Sequence, residues 1–104
     1  VRKVVENIAR EGRVTAMICN NDAMAWQVSR ELRLQGVRVR EEVAVDGFDD
    51  NPAFNGRSPN LSTIRADRRQ LGRNAITQLL AIIEGGEVAE MPAVLSTFVE
   101  RETS

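Results

Sequence analysis

The stretch Val43-Ala44-Val45-Asp46-Gly47-Phe48-Asp49-Asp50 decides how the rest of this chain is read. Val43, Ala44 and Val45 are small or β-branched, as suits a short strand buried on both faces of a parallel sheet, and two adjacent carboxylates end the run. In open α/β sheets ligands bind beyond the carboxyl ends of strands. Asp49 and Asp50 therefore stand where a polar small molecule would be gripped. Gly47 lets the backbone pass close to another element just before that mouth.

Upstream, Val14 to Cys19 reads as a second buried strand, closed by Asn20-Asn21-Asp22, residues that cap helices and form hydrogen bonds. Asp22 is the expected cap. Asn21 is the better ligand candidate, because an amide offers both a donor and an acceptor; the plain alternative is that all three residues only make a capping turn. The helix from Ala23 to about Gln35 carries Met24, Val28 and Leu32 as a core-facing line. Trp26 and Leu34 point away from that line, with Ser29, Arg30 and Arg33 around them, which suggests a partner surface or the cover of a loop. Strand, helix and strand form a right-handed βαβ unit, so the Asn21 turn and the Asp49 turn fall at one edge of the sheet.

On the N-terminal side, Val1, Val4, Val5, Ile8 and Ala9 recur at helical spacing and Gly12 supplies a stop, with no capping residue ahead of Val1. That start suggests a piece of a longer chain. Downstream, Asn51 to Asn60 is a loop in which Phe54 is either a clamp over the site or, more in keeping with its surroundings, a packing plug. Leu61 to Arg65 reads as a short extended segment, and Asp67 with Gln70 three residues on as a helix start. Leu71, Gly72, Ala75, Ile76, Leu79, Leu80 and Ile83 then give the strongest amphipathic pattern in the chain, a packing stripe ended by Gly85-Gly86. Ala93 to Val99 is a last strand and Glu100 to Ser104 a polar tail.

Composition narrows the function. The 104 residues carry 14 basic and 15 acidic side chains without a basic stripe, so this stretch by itself is a poor binder of nucleic acid. There is no histidine and a single cysteine, which leaves out the usual metal clusters and histidine-based acid-base devices. No metal or cofactor is expected, and no enzyme. A magnesium site at Asp49-Asp50 of the response-regulator kind would need a further carboxylate and a cationic partner; the only lysine is Lys3. Cys19 reads as a small buried hydrophobe, which suits a reducing compartment. With no signal peptide and no membrane-length apolar run, a cytoplasmic address is expected.

Taken in order, Thr15-Ala16-Met17-Ile18-Cys19-Asn20-Asn21-Asp22-Ala23-Met24-Ala25, Val45-Asp46-Gly47-Phe48-Asp49-Asp50, and Leu61-Ser62-Thr63-Ile64-Arg65 with Gly72 resemble the effector-binding domain of lactose-repressor/galactose-repressor (LacI/GalR) transcription regulators. The resemblance implies an α/β lobe of the periplasmic-binding-protein-like type I fold, Rossmann-like with a parallel sheet in three αβα layers. It places residues 1–65 and 93–104 in the C-terminal lobe, and residues 66–92 in a hinge crossing with a helix that packs on the N-terminal lobe. Asn21 and Asp49 match effector-binding residues, with Asn20, Asp50 and Phe54 as candidate neighbours, and the effector would be a sugar or nucleoside-like molecule. Trp26, with Arg30 and Arg33 on its helix, and the loop reaching Arg57 match the dimer contact, so a homodimer is implied. DNA would be reached only through an N-terminal helix-turn-helix that this stretch lacks. The runner-up is a periplasmic sugar-binding protein of a transporter. Three positions depart from the family pattern: Asn20, Arg40 and Asp46. The carboxylate of Asp46, inside a strand, needs a partner, and Arg65 is the expected one.

Overall fold

A computed structural model describes all residues, Val1–Ser104. The order is α1 (Arg2–Glu11), β1 (Ala16–Ile18), α2 (Asp22–Leu34), β2 (Ala44–Phe48), β3 (Ser62–Ala66), α3 (Arg68–Ile83) and β4 (Ser96–Val99). The strands form one sheet in the order β1-β2-β3-β4. The β1–β2 and β2–β3 ladders are both parallel, with Ile18, Asp46 and Ser62 in register across the three strands.

The chain divides into two compact units, Val1–Arg65 with Thr97–Ser104, and Ala66–Ser96. In the first, α1 packs on α2 and α2 on β2. The core gathers Val5 of α1, Cys19, Ala25, Val28 and Leu32 of α2, Val39, Val43, Val45 and Leu61. Helix α1 ends at Gly12, whose φ of 61° is the left-handed cap that glycine adopts without strain. The connection from α2 to β2 is drawn tight where Glu42 accepts hydrogen bonds from both the backbone N–H and Nε of Arg38, each 2.9 Å.

Of the expected core line of α2, Val28 and Leu32 are buried and Met24 is not. Met24 is 40% exposed, and the face on the core runs Asp22, Ala25, Val28, Ser29 and Leu32. Small residues win these positions because the sheet is close. A Cβ built on Gly47 would stand 3.1 Å from the Cα of Asp22 and 3.3 Å from the Cβ of Ala25, and would overlap the Asp22 carboxylate. Gly47 is thus where β2 admits the first turn of α2. Ser29 was expected beside Trp26; it is fully buried instead, and its hydroxyl has no partner.

The C-terminal residues are no loose tail. Thr103 sits where the β2–β3 ladder has not yet begun: its carbonyl accepts from the N–H of Val45 at 2.8 Å and its hydroxyl from the N–H of Ser62 at 2.9 Å. It is fully buried because it stands in for a missing rung. In the second unit, Asp67 caps α3 by accepting from the N–H of Gln70 at 3.0 Å. No residue of α3 is buried, so the stripe Leu71 to Ile83, which its spacing assigns to a core, faces solvent along its length.

Filling the space at Gly47 should therefore cost more than any propensity gain. Gly47→Ala is expected to lower the unfolding free energy by about 1–3 kcal/mol through overpacking. Gly72→Ala, on α3 with nothing near its missing Cβ, should raise helix stability by about 0.5–1 kcal/mol. Urea denaturation of both variants checks the contrast.

Candidate functional site

The two polar turns meet at the carboxyl edge of the sheet, and the residue that joins them is Asp22. The expected roles of Asn21 and Asp22 are exchanged. Asn21 is the cap of α2, its Oδ1 accepting from the N–H of Met24 at 2.8 Å. Asp22, the first helical residue, is 2% exposed. Its Oδ1 accepts from the Thr63 hydroxyl at 2.6 Å and its Oδ2 from the N–H of Asn51 at 2.5 Å. A carboxylate at the start of a helix is also favoured by the positive end of the helix dipole. One buried side chain thus ties the turn after β1 to the turn after β2 and to β3.

The second turn is held in an uncommon backbone conformation. Asp49 has φ 103° and Asp50 φ 48°, a region that aspartate tolerates better than most side chains. The N–H of Asp49 donates to the carbonyl of Ile64 at 2.9 Å. Asp50 is 8% exposed and both its oxygens are taken: Arg65 Nε donates to one at 2.5 Å and Arg101 Nη2 to the other at 2.7 Å. Arg101 also donates through Nη1 to the carbonyl of Leu61 at 2.8 Å. Arg65 therefore serves Asp50 and not Asp46, whose Oδ1 is closed off from water without a partner. The reason is position: Asp46 shares its register with Ser62, three residues before Arg65 along β3.

Burial on its own would raise the Asp50 carboxyl, but the hydrogen bonds and charges of Arg101 and Arg65 outweigh it and hold it below the usual carboxylate range. Cys19 is shifted the other way, pushed up first by burial and then by the charge of Asp46, so it behaves as an inert apolar group and not as a nucleophile.

Asp50 and Asp22 thus have their oxygens bonded within the chain, while their neighbours keep open polar groups. Asn21 and Asp49 are half-buried, and Asn20 is exposed. The Asn21 amide has spent its oxygen on the cap and keeps its NH₂ as a donor; the Asp49 carboxylate is an acceptor. A donor and an acceptor on two joined turns suit a hydroxylated guest. Sequence reasoning missed Thr63, Arg101 and Thr103, whose partners lie about forty residues away and leave no mark in local spacing.

Phe54 is half-buried against the core, beside Trp26. Its ring centroid is 6.4 Å from that of Trp26, and the Arg57 guanidinium lies over both rings, at 5.7 Å from Trp26 and 5.5 Å from Phe54. Trp26, Arg30, Arg33, Leu34, Ser58 and Pro59 line a groove of about 320 Å³, and the indole N–H of Trp26 is buried with no acceptor.

A parallel α/β lobe with polar turns at the carboxyl ends of its strands is the arrangement in which open α/β sheets bind small molecules. The chain belongs to the periplasmic binding protein-like domain family, whose pattern matches residues 2–104, in the form carried by LacI-type regulators. It is 40% identical over 86 residues to the HTH-type transcriptional regulator GntR of Pseudomonas aeruginosa, a match covering 83% of this chain and 25% of that protein. It superposes on the lac repressor dimer bound to operator and the anti-inducer ONPF with a TM-score of 0.83 and 32% identity, covering 99% of this chain and 36% of the repressor chain. A LacI family regulator from Arthrobacter in complex with lactose matches with a TM-score of 0.78 and 30% identity, covering 96% and 39%. The chain spans about a quarter of the length of the curated relatives it matches. No helix is long and apolar enough to cross a membrane.

The Asp50 clamp has a definite pH signature. Its folded-state value lies below the unfolded one, so its contribution is present above the ordinary carboxylate range and is lost as pH falls through the folded value. At pH 7, Asp50→Asn should lose about 1.5–3 kcal/mol, the worth of a hydrogen bond to a charged group. The gap between the two proteins should close as pH drops below about 4. Urea titrations from pH 7 to pH 3 measure it.

Proposed function

We propose that this chain is the ligand-sensing and dimerising part of a LacI-type transcription regulator. It would take a small polar effector, a sugar or a nucleoside-like molecule, between two lobes and thereby change the protein's affinity for DNA. The observation that carries this reading is the pair of turns locked together by Asp22, which presents the Asn21 amide and the Asp49 carboxylate from one edge of the sheet. In this role Asn21 donates to a ligand oxygen, Asp49 accepts from one or two hydroxyls, and Asn20 borders them. Asp50, held by two arginines, fixes the Asp49 turn before the ligand arrives, so less ordering is left to binding.

The effector acts by population shift. It binds one arrangement of the lobes better than the other and moves the equilibrium only by that difference in affinity. Trp26, Arg30, Arg33 and Arg57 form the dimer face, consistent with an aromatic side chain and arginines lining an open groove. DNA contact belongs to a helix-turn-helix outside these residues, and such a protein works in the cytoplasm. The solved relatives favour this reading over a transporter's binding protein, because they are regulators: one is described as bound to operator and an anti-inducer, another to lactose.

Calorimetry on the full-length regulator with its effector tests the assignment. Asp49→Ala should weaken binding at least tenfold, about 1.4 kcal/mol, since a ligand hydroxyl then loses its charged acceptor. Unchanged affinity would remove Asp49 from the site.

A further inference from the structure

The chain leaves its first compact unit after Arg65 and comes back to it at Thr97, so two connections join that unit to residues 66–96. An arginine stands at each. Arg65 is the last residue before the first connection, and Arg101 follows shortly after the second one ends. Both close on the same carboxylate from within the first unit, Arg65 Nε on one oxygen of Asp50 and Arg101 Nη2 on the other.

The two holds differ. The Arg101 side chain is 16% exposed, its Nη1 donates to the carbonyl of Leu61 and its backbone N–H to the hydroxyl of Ser62, each at 2.8 Å. Arg65 is 55% exposed and holds Asp50 through Nε. The return is the firmer anchor and the exit the looser one. Asp50 in turn belongs to the segment that presents Asp49: its N–H donates to the Thr63 hydroxyl at 3.4 Å, and the Asp49 N–H donates to the carbonyl of Ile64, the residue just before Arg65. Both aspartates stand at positive φ, a backbone that a residue with a side chain keeps only where its surroundings over-determine it.

We propose that Asp50 is a positioning residue that makes the Asp49 turn and both connections one coupled element, so that loosening either connection loosens the turn and the opposite connection with it. Coupling of this kind needs an element with two arrangements that both ends bias. The turn supplies it, formed at positive φ while clamped and relaxed when released. The inference rests on the effector reading of Asp49 and adds its regulation: an effector gripped by Asp49 stiffens both connections through Asp50, and by reciprocity the state of the connections decides how well the turn is formed for the effector.

The test is NMR on the full-length regulator with no ligand added, labelled at arginine and aspartate, comparing the wild type with Arg101→Met. Two signals are read: solvent exchange of the Arg65 Nε–H, and the backbone carbon shifts of Asp49 and Asp50, which report φ and ψ. If the two arginines act independently, removing Arg101 leaves Arg65 as the only cation on Asp50, and its Nε–H exchanges at the same rate or more slowly. Coupling has the opposite sign. The Arg65 Nε–H should exchange at least tenfold faster, and the Asp49 and Asp50 shifts should move toward those of residues at negative φ. Arg69→Met, which removes an arginine that takes part in none of the ion pairs, should change neither signal. Unchanged or slower exchange at Arg65 in Arg101→Met overturns the proposal. Should Arg101→Met fail to fold, Arg65→Met at the exposed exit decides: the Asp49 and Asp50 shifts move if the element is coupled, and shifts that stay at their wild-type values overturn it. Because no ligand enters, failure here is failure of the coupling, whereas unchanged affinity in Asp49→Ala is failure of the effector reading.

Discussion

A buried carboxylate that accepts one hydroxyl and one backbone N–H holds the working edge of this molecule together. Asp22 reaches from the first turn of α2 to Thr63 on β3 and to Asn51 beyond β2, three segments that are far apart in sequence. A carboxylate out of water must have its hydrogen bonds met, so the surrounding chain has little freedom to move away from it. Gly47 follows from the same constraint, since any side chain there would occupy the space of the Asp22 carboxylate. Small residues along the buried face of α2 follow too, because the helix must come close enough for Asp22 to reach across.

Around this centre the polar residues divide by whether the chain itself satisfies their hydrogen bonds. Asp22 and Asp50 have their oxygens occupied, the latter by two arginines of which one, Arg101, arrives from the end of the chain. Asn21 and Asp49, each one residue away, keep free hydrogen-bonding groups. Adjacent residues on a turn face different ways, so one can anchor while the next stays open. The positive φ values at Asp49 and Asp50 belong to this division: the backbone turns sharply so that Asp50 goes in and Asp49 stays at the surface.

Much of this was legible in the sequence. The strand ending in Asp49-Asp50, the helix after Asn20-Asn21-Asp22, the cap at Asp67 and the parallel α/β fold all follow from local patterns of apolar spacing and capping residues. The choice between Asn21 and Asp22 as cap was not legible, because both residue types cap well and only the exact end of β1 decides. Nor were the pairings of Asp50 with Arg65 and Arg101, since nothing local distinguishes Asp50 from Asp46 as the carboxylate that an arginine on β3 or in the C-terminal segment can reach. In the Met24 line, Val28 and Leu32 are buried as expected while Met24 is not, and the small residue Ala25 takes the place beside Gly47, a tertiary fact that periodicity does not show. The α3 stripe was expected to be the strongest amphipathic pattern and to pack in a core, yet no residue of α3 is buried: apolar spacing says nothing of what lies against a face.

The central claim is that Asp22 fastens the turn after β2, and hydrogen exchange at the Asn51 amide tests it most directly. Asn51 lies outside any strand, so a free turn would exchange its amide at about the rate of an unprotected amide. If the Asp22 carboxylate holds it, exchange at Asn51 should be as slow as in the β2–β3 ladder and should accelerate in Thr63→Val, which removes the carboxylate's other partner. An Asn51 amide that exchanges at the rate of an unprotected amide, in the unaltered protein, would contradict the account.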